Sequence, residues 1–552
     1  MRSGVIAKNA ENPTVRAMTA LEKGGAVNRA QSFCSRWASV SLLGLSAGYW
    51  IYMHVRLQDY LLDDTYIHFR VAENMALFGI PHFNLGEAVK VSSSLPWTLV
   101  LASLFTIWPD SISAVMAASA LVSYTGLVSF VGLIQTLAGR TLDNLERVGL
   151  GLVYLATVQV ASLAAMETPL ALLFSTLGLQ AYVRGRPWAF ALLALACVTR
   201  PELAALTLLL AVAALMSRRP PWLASLCWGI LAAGPFLAFD LLHFGTVVPH
   251  AVVAKPLVHH YALRESITAL QPEIVLRLTQ WSTGACFLLA LAYLLLGTLP
   301  ALSLARSWAS LRSSRIQVVV ASAIGGLAVI IAYVSARTLV FAWYRPLYFL
   351  LLFIPPLALA TRERSRVVYA AALLAAMPGL VDLAGNIAAS GGQVQSHSFF
   401  LEGARSRQTL RVARQLARDY PDAILMTPEI GAAGFGFPGH IDDGAGIATP
   451  RALRYHPLPV PEERGSQSEG ALPRDFVRDE DPDIVLGVDR LLAGVLRDPL
   501  RAGYVHIRYP SYTTEDDARR DPGQLLWGTC HELDVLIRED LWKRAPHRPT
   551  TH

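Results

Sequence analysis

LLDDTYIHFRVAEN, Leu61 to Asn74, sets two adjacent carboxylates, Asp63 and Asp64, just after the first long apolar segment of the chain. Acids at the edge of a bilayer are costly to keep there unless they carry out a task or are well solvated. Around this stretch, apolar segments recur at 37–56, 148–165, 169–183, 188–199, 202–217, 222–242, 284–304, 316–335, 345–361 and 367–383. They are judged against about 20 residues per bilayer crossing, so several are short. The 552 residues are 53% apolar and only 16% charged, with a mean hydropathy of +0.40. That is too apolar for an ordinary soluble enzyme and reads as an all-α polytopic membrane domain.

The net charge of +6 and the pI near 9.1 could point to nucleic acid. Lys and Arg lie instead in short clusters between apolar runs, where the positive-inside rule puts them, so nucleic acid is excluded as a partner. The five cysteines, Cys34, Cys197, Cys227, Cys286 and Cys530, show no paired spacing and define neither a disulfide framework nor a metal site. Residues 1–36 carry scattered Lys and Arg without a cleavage signal and read as a cytoplasmic tail.

Arg140/Arg147, Arg184/Arg186, Arg218/Arg219, Arg306/Arg312/Arg315 and Arg362/Arg364/Arg366 fall on alternate loops and mark the cytoplasmic face. The opposite face then holds Asp63/Asp64, Glu167, Arg200/Glu202, the segment 243–283, Tyr344/Arg345 and everything after about 384. Residues 96–138 must cross an odd number of times. Either the short piece at 97–108 is re-entrant or the longer one after Pro109 and Asp110 is split in two, for about 11 or 13 crossings, the larger preferred.

In the outward loop 57–95, Ile67, Val71, Met75 and Leu77 recur at near-helical spacing, which predicts an amphipathic helix lying at the interface. Asp63, Ile67, Arg70 and Asn74 share one face of it, and Asp63 is a candidate N-cap. The stretch that follows is rich in turn residues. From about 390 the composition becomes mixed and charged. A helix is expected at 403–419, strands at 422–427, 483–488 and 504–510, and a glycine-rich turn at Gly431 to Gly439. The division is a tail at 1–36, a transmembrane domain at 37–383 and an outward-facing α/β domain at 384–552.

Deprotonating a sugar hydroxyl as it attacks an anomeric carbon needs a carboxylate within hydrogen-bond reach, and a second acid can bind the acceptor or tune the first. Asp63 and Asp64 fit that task; the bland alternative is a helix cap beside a solvated loop acid. Arg200, Lys255 and Arg345 are outward-side cations next to apolar spans, suited to a phosphate at the lipid boundary or to snorkelling toward headgroups. Glu167, isolated after an apolar run, is functional or pairs with a cation such as Arg200. His250, His259 and His260 lack a paired acid pattern and read as solvated loop residues. The glycine run at 431–439 lacks phosphate-cradle spacing and reads as turn chemistry.

The stretch from Leu61 to Leu101 resembles the first periplasmic loop of the GT-C class of polytopic glycosyltransferases. That class includes protein O-mannosyltransferases, aminoarabinose transferases acting on lipid A and mycobacterial arabinofuranosyltransferases. Asp63, Asp64, Tyr66, Arg70, Asn74, Asn84, Gly86, Glu87, Ser92 to Ser94, Pro96 and Trp97 fit its pattern in order, with SLPW where S-P-L-W is commoner. AMETPL around Glu167, TRPE from Thr199 to Glu202 and FGTVVPHAVVAK from Phe244 to Lys255 resemble later segments of the class. So does the stretch around Asp442, Asp443 and Gly444, at a structural turn.

The resemblance implies transfer of a sugar from a polyprenyl-phosphate donor to a hydroxyl of an envelope glycan, lipid or protein, on the periplasmic side of a bacterial inner membrane. Asp63 is then the base and Asp64 its partner. Substrate and lipid-phosphate binding falls to Tyr66, Arg70, Glu167, Arg200, Glu202, Lys255, Tyr344 and Arg345. Inversion in a single displacement is expected, since one base and a phosphate leaving group suffice. A divalent metal is compatible with the chemistry but not required. The rival reading is a transporter or flippase of a lipid-linked saccharide. Transporters keep ionisable groups near the midplane of an internally repeated fold, whereas this chain gathers them in outward loops and shows no repeat.

Overall fold

The computed structural model describes residues 44–57, 61–109, 111–217, 222–259, 312–337, 340–365, 398–458, 471–498, 503–510 and 532–544, with scattered positions at 263–270 and 370–384. The tail 1–36, the span 284–304, His260 and part of the span 367–383 lie outside the described residues.

Among the described residues the first part is built of helices. After α1 (44–57) come α2 (Asp63–Phe78), α3 (Leu95–Ile107), α4 (Ile112–Ala138), α5 (Asn144–Leu163), α6 (Thr168–Val183) and α7 (Ala189–Thr199). α8 (Ala204–Met216), α9 (Trp222–Phe244), α10 (Ala251–Val258), α11 (Ser314–Ala336) and α12 (Arg345–Glu363) complete it. Among the described residues, α4, α9, α11 and α12 are long and apolar enough to cross a membrane; α3, α6, α7 and α8 are shorter apolar helices. Exposed Trp228, Ile230, Leu231, Leu241 and Leu242 on α9 make an apolar outer face, suited to lipid rather than water.

Local chemistry sets the boundaries. Ser94 and Ser111 cap α3 and α4 with their hydroxyls, and Asp143 with Glu146 forms a capping box on α5. Gly79 and Gly139 end α2 and α4 at φ 75° and 72°, a conformation that favours glycine. The region 96–138 resolves into the 13-residue α3, about 20 Å long, and the 27-residue α4. The longer piece is therefore not split, because no breaker interrupts it after Asp110.

The C-terminal α/β domain begins with α13 (Ser398–Asp419) and continues through β1 (Leu425–Thr427), α14 (Ile430–Gly436), β2 (Ile441–Asp443), β3 (Ile484–Val488), β4 (Tyr504–Pro510) and β5 (Glu532–Arg538). The sheet order is β2-β1-β3-β5-β4, with β1 parallel to β2 and β3, and β5 antiparallel to β3 and β4. β2 and β5 were not expected from the sequence. The glycine run forms α14 and the bend after it rather than a turn throughout.

α2 does not lie on the lipid surface. Ile67 and Val71 join the core that includes Leu425, Ile484, Leu486 and Val535 of the sheet, while Tyr66 and Phe69 join another with Trp97, Phe105 and Phe435. α2 is thus clamped between the membrane domain and the C-terminal domain, which explains a helix buried on nearly all sides.

Candidate functional site

α2 follows an extended Leu62 and places Asp63 and Asp64 in its first turn, where the helix dipole favours negative charge. Asp63 does not cap its own helix. Its two oxygens accept hydrogen bonds from the backbone N–H groups of Gly431 (2.9 Å) and Ala432 (2.8 Å), so it caps α14 from 368 residues away in the chain. The backbones approach so closely that a Cβ on Gly431 would lie 1.7 Å from the Asp63 carbonyl oxygen. Burial, with the nearby charges of Glu429 and Asp64, pushes the Asp63 carboxyl up to about 7 against the pull of the two amides.

Asp64 accepts a hydrogen bond from Lys255 Nζ at 3.0 Å, and Lys255 also donates to the Tyr344 hydroxyl at 2.8 Å. Burial disfavours the ammonium, but Asp64 and Tyr344 outweigh it and hold Lys255 above its ordinary pKa. The Tyr344 ring carries Arg200 at 4.5 Å from its centroid and stacks on Tyr333. Arg200 donates to Glu167 at 2.6 Å and to Glu202 at 2.5 Å, and Tyr333 donates to Glu202 at 2.7 Å.

Glu167 also accepts from the Ser93 hydroxyl at 2.8 Å and faces His68 Nε2 at 3.3 Å. Burial alone would raise Glu167; His68 and Arg200 prevail and hold it well below the usual carboxylate range. His68 lies one turn beyond Asp64 on α2, so the contacts from Asp64 through Lys255, Tyr344, Arg200 and Glu167 close into a ring. Such a buried polar ring fixes each member's orientation because no partner can move alone without leaving another unsatisfied.

A cavity of about 120 Å³ opens between α2 and the C-terminal domain. Asp63, Asp64 and Lys255 line it from one side, Arg405, Glu429 and Arg490 from the other, between apolar walls that include Phe341, Trp343 and Ile447. Arg405 and Glu429 pair at 2.8 Å.

The remaining expected site residues lie elsewhere. Arg200 is 2% exposed and spends two nitrogens on Glu167 and Glu202, so it does not reach the cavity to meet a phosphate. Glu167, Glu202 and Tyr344 belong to the ring behind the cavity, and Arg345 opens α12 beside Tyr344, half-buried, away from the lining. Tyr66 and Arg70, expected among the substrate contacts, lie at the seam between α2 and the C-terminal domain, outside the cavity lining. The Tyr66 ring stacks on Phe435, and Arg70 donates to the carbonyls of Phe83 and Gly439 at 2.7 Å and to that of Gly434. Both are buried because they fill the seam between α2 and α14.

His68, Ser93, Tyr333, Arg405, Glu429 and Arg490 were not expected. His68 had a usable signal in its four-residue spacing from Asp64; the three C-terminal groups had none, since their relation to the cavity is set by a helix and two strand ends far apart in sequence. Lys90, also unexpected, pairs with Asp240 near the end of α9.

No protein-family model matches the chain, and no curated protein matches it in sequence. In three dimensions it is similar to ArnT from Cupriavidus metallidurans, in the crystal structure of that protein bound to undecaprenyl phosphate. The TM-score is 0.52 at 14% identity, over 92% of this chain and 99% of ArnT. The likeness is one of fold: a helical membrane domain followed by a C-terminal α/β domain.

Proposed function

We propose that this chain is a multi-pass membrane glycosyltransferase that moves a sugar from a polyprenyl-phosphate donor to a hydroxyl of a cell-envelope glycan, lipid or protein, on the periplasmic face. The observation that carries the reading is the meeting of Asp63, Asp64 and Lys255 in one cavity, on a fold shared with a protein solved with undecaprenyl phosphate bound.

In this mechanism Asp63 is the general base. A carboxyl near 7 is ionised in part at neutral pH and basic enough to take a proton from a hydroxyl. The two amides occupy one lone pair on each oxygen and aim the carboxylate, leaving further acceptor sites for the acceptor hydroxyl. The acceptor oxygen forms a bond to the anomeric carbon as that carbon's bond to the phosphate oxygen breaks. The electron pair leaves with polyprenyl phosphate, the hydroxyl proton goes to Asp63, and the anomeric configuration inverts. Asp64 orients Lys255, whose ammonium meets negative charge growing on the leaving phosphate. Asp64 and Tyr344 keep that ammonium charged, and Arg200, held by Glu167, packs on the Tyr344 ring.

The test uses purified Asp63→Asn protein in lipid nanodiscs. It is expected to bind undecaprenyl phosphate as the unaltered protein does and to lose transfer, scored by mass analysis of envelope lipids and glycans from a strain carrying only the variant. Undiminished transfer removes Asp63 as base. A lipid-linked sugar stranded on the cytoplasmic face would favour the flippase reading.

A further inference from the structure

The cavity is the crevice of an open α/β sheet. The residues that follow the carboxyl ends of three neighbouring parallel strands line it: Glu429 after β1, Ile447 after β2 and Arg490 after β3. Open α/β sheets bind ligands at this edge, where the loops leaving parallel strands diverge. The buried Asp443 carboxylate accepts the N–H groups of Ala445 (2.8 Å) and Ala448 (2.7 Å) and so pins the loop that brings Ile447 to the wall.

The charges around the cavity are nearly all committed: Asp63 to two amides, Asp64 to Lys255, Glu429 to Arg405. Arg490 is the exception. It is half-buried and lines the cavity, and among the described residues its guanidinium has no hydrogen-bond or ion-pair partner. A guanidinium partly withdrawn from water without an acceptor is unfavourable, and its planar fork matches the paired oxygens of phosphate or carboxylate.

We infer that the C-terminal domain supplies a substrate subsite at the carboxyl ends of β1, β2 and β3, where Arg490 binds an anionic oxygen group, phosphate or carboxylate, of the substrate. The inference rests on the transferase reading for which substrate this is, and on the cavity geometry alone for the anion. Two sources share the chemistry: the phosphate of the lipid donor and an anionic substituent on the acceptor.

The experiment measures binding to the full-length protein in nanodiscs by tryptophan fluorescence, since Trp343 lines the cavity. The probes are undecaprenyl phosphate and glucose 6-phosphate, with glucose as the neutral control. Arg490→Ala is expected to weaken binding of one phosphate probe about ten- to hundredfold and to leave glucose unchanged, with Arg490→Lys affected less. Loss confined to undecaprenyl phosphate assigns the anion to the donor, and loss confined to glucose 6-phosphate assigns it to the acceptor. If both phosphate probes bind a folded Arg490→Ala protein within about twofold of the unaltered one, or neither binds in an Arg490-dependent way, the inference is wrong. Should Arg490→Ala fail to fold, Arg490→Gln, which keeps most of the volume without the charge, takes its place. These readouts need no turnover, so a lipid-linked sugar stranded on the cytoplasmic face would end the transferase reading and leave the Arg490 result standing.

Discussion

Gly431→Ala is the sharpest single perturbation of this architecture. The new methyl would sit 1.7 Å from the Asp63 carbonyl oxygen, 2.5 Å from the carbonyl carbon and 2.9 Å from Cγ. Two of those atoms are backbone and cannot rotate away, so α2 and α14 must part by well over an ångström. The amide bonds to Asp63, now 2.9 and 2.8 Å, then exceed hydrogen-bond range. Bonds to an ionised carboxylate are worth about 1.5–3 kcal/mol each, so roughly 3–6 kcal/mol of docking is at stake before water recovers part of it. Transfer should fall at least about a hundredfold, the usual result of moving a reacting group by an ångström.

Hydrogen exchange over 430–436, thermal unfolding and turnover measure the three consequences. The control is Gly503→Ala, where nothing lies within 4 Å of the added carbon and the change should stay within about 0.5 kcal/mol. A Gly431→Ala protein with unaltered exchange, unfolding and turnover would refute the claim that this contact seats the base.

The same carboxyl sets a pH dependence. With Asp63 near 7, kcat/KM should rise with pH through about 7 and fall about tenfold per unit below it; a limb near 4 would mean another base. Stability runs the opposite way: the unfolded carboxyl loses its proton near 3.8 but the folded one keeps it to about 7, so this group's contribution weakens as pH climbs between those values. Domain docking, read by exchange, should therefore be tighter at pH 5 than at pH 8. Glu167→Ala strips one of two carboxylates from the buried Arg200 and should cost about 3–5 kcal/mol in unfolding, with Glu167→Gln costing less; an unchanged unfolding temperature would deny the ring a structural role. Reporter fusions at position 310 and at the C-terminus should report opposite faces of the membrane, and a cytoplasmic C-terminus would overturn the proposed placement of the site.

Much of the fold could be read along the chain because hydropathy and capping act over a few residues. The segments at 148–165, 169–183, 188–199, 316–335 and 345–361 emerge as α5, α6, α7, α11 and α12 with ends shifted by a few residues. β3 and β4 emerge close to their expected bounds for the same reason. β2 has only three residues, too few to show alternation, and the buried Asp534 interrupts the apolar pattern of β5. Gly431 to Gly439 looked like a turn because glycine is read locally as freedom, whereas Gly431 and Gly434 are there for closeness to Asp63, Phe83 and Arg70.

The acidic pair divides along the same line. That Asp63 and Asp64 open a helix after the first span, with Arg70 and Asn74 on its face, was determined by the sequence, since spacing and helix geometry suffice for it. Cap or catalytic group was a question spacing left open. Only the tertiary structure showed that Asp63 does cap a helix, but α14 of the other domain, and that Asp64 holds Lys255 while Arg200 is taken by Glu167 and Glu202. The physical reason is that a charge's partner is chosen by whatever else the fold buries beside it, and here those partners arrive from segments up to 369 residues away.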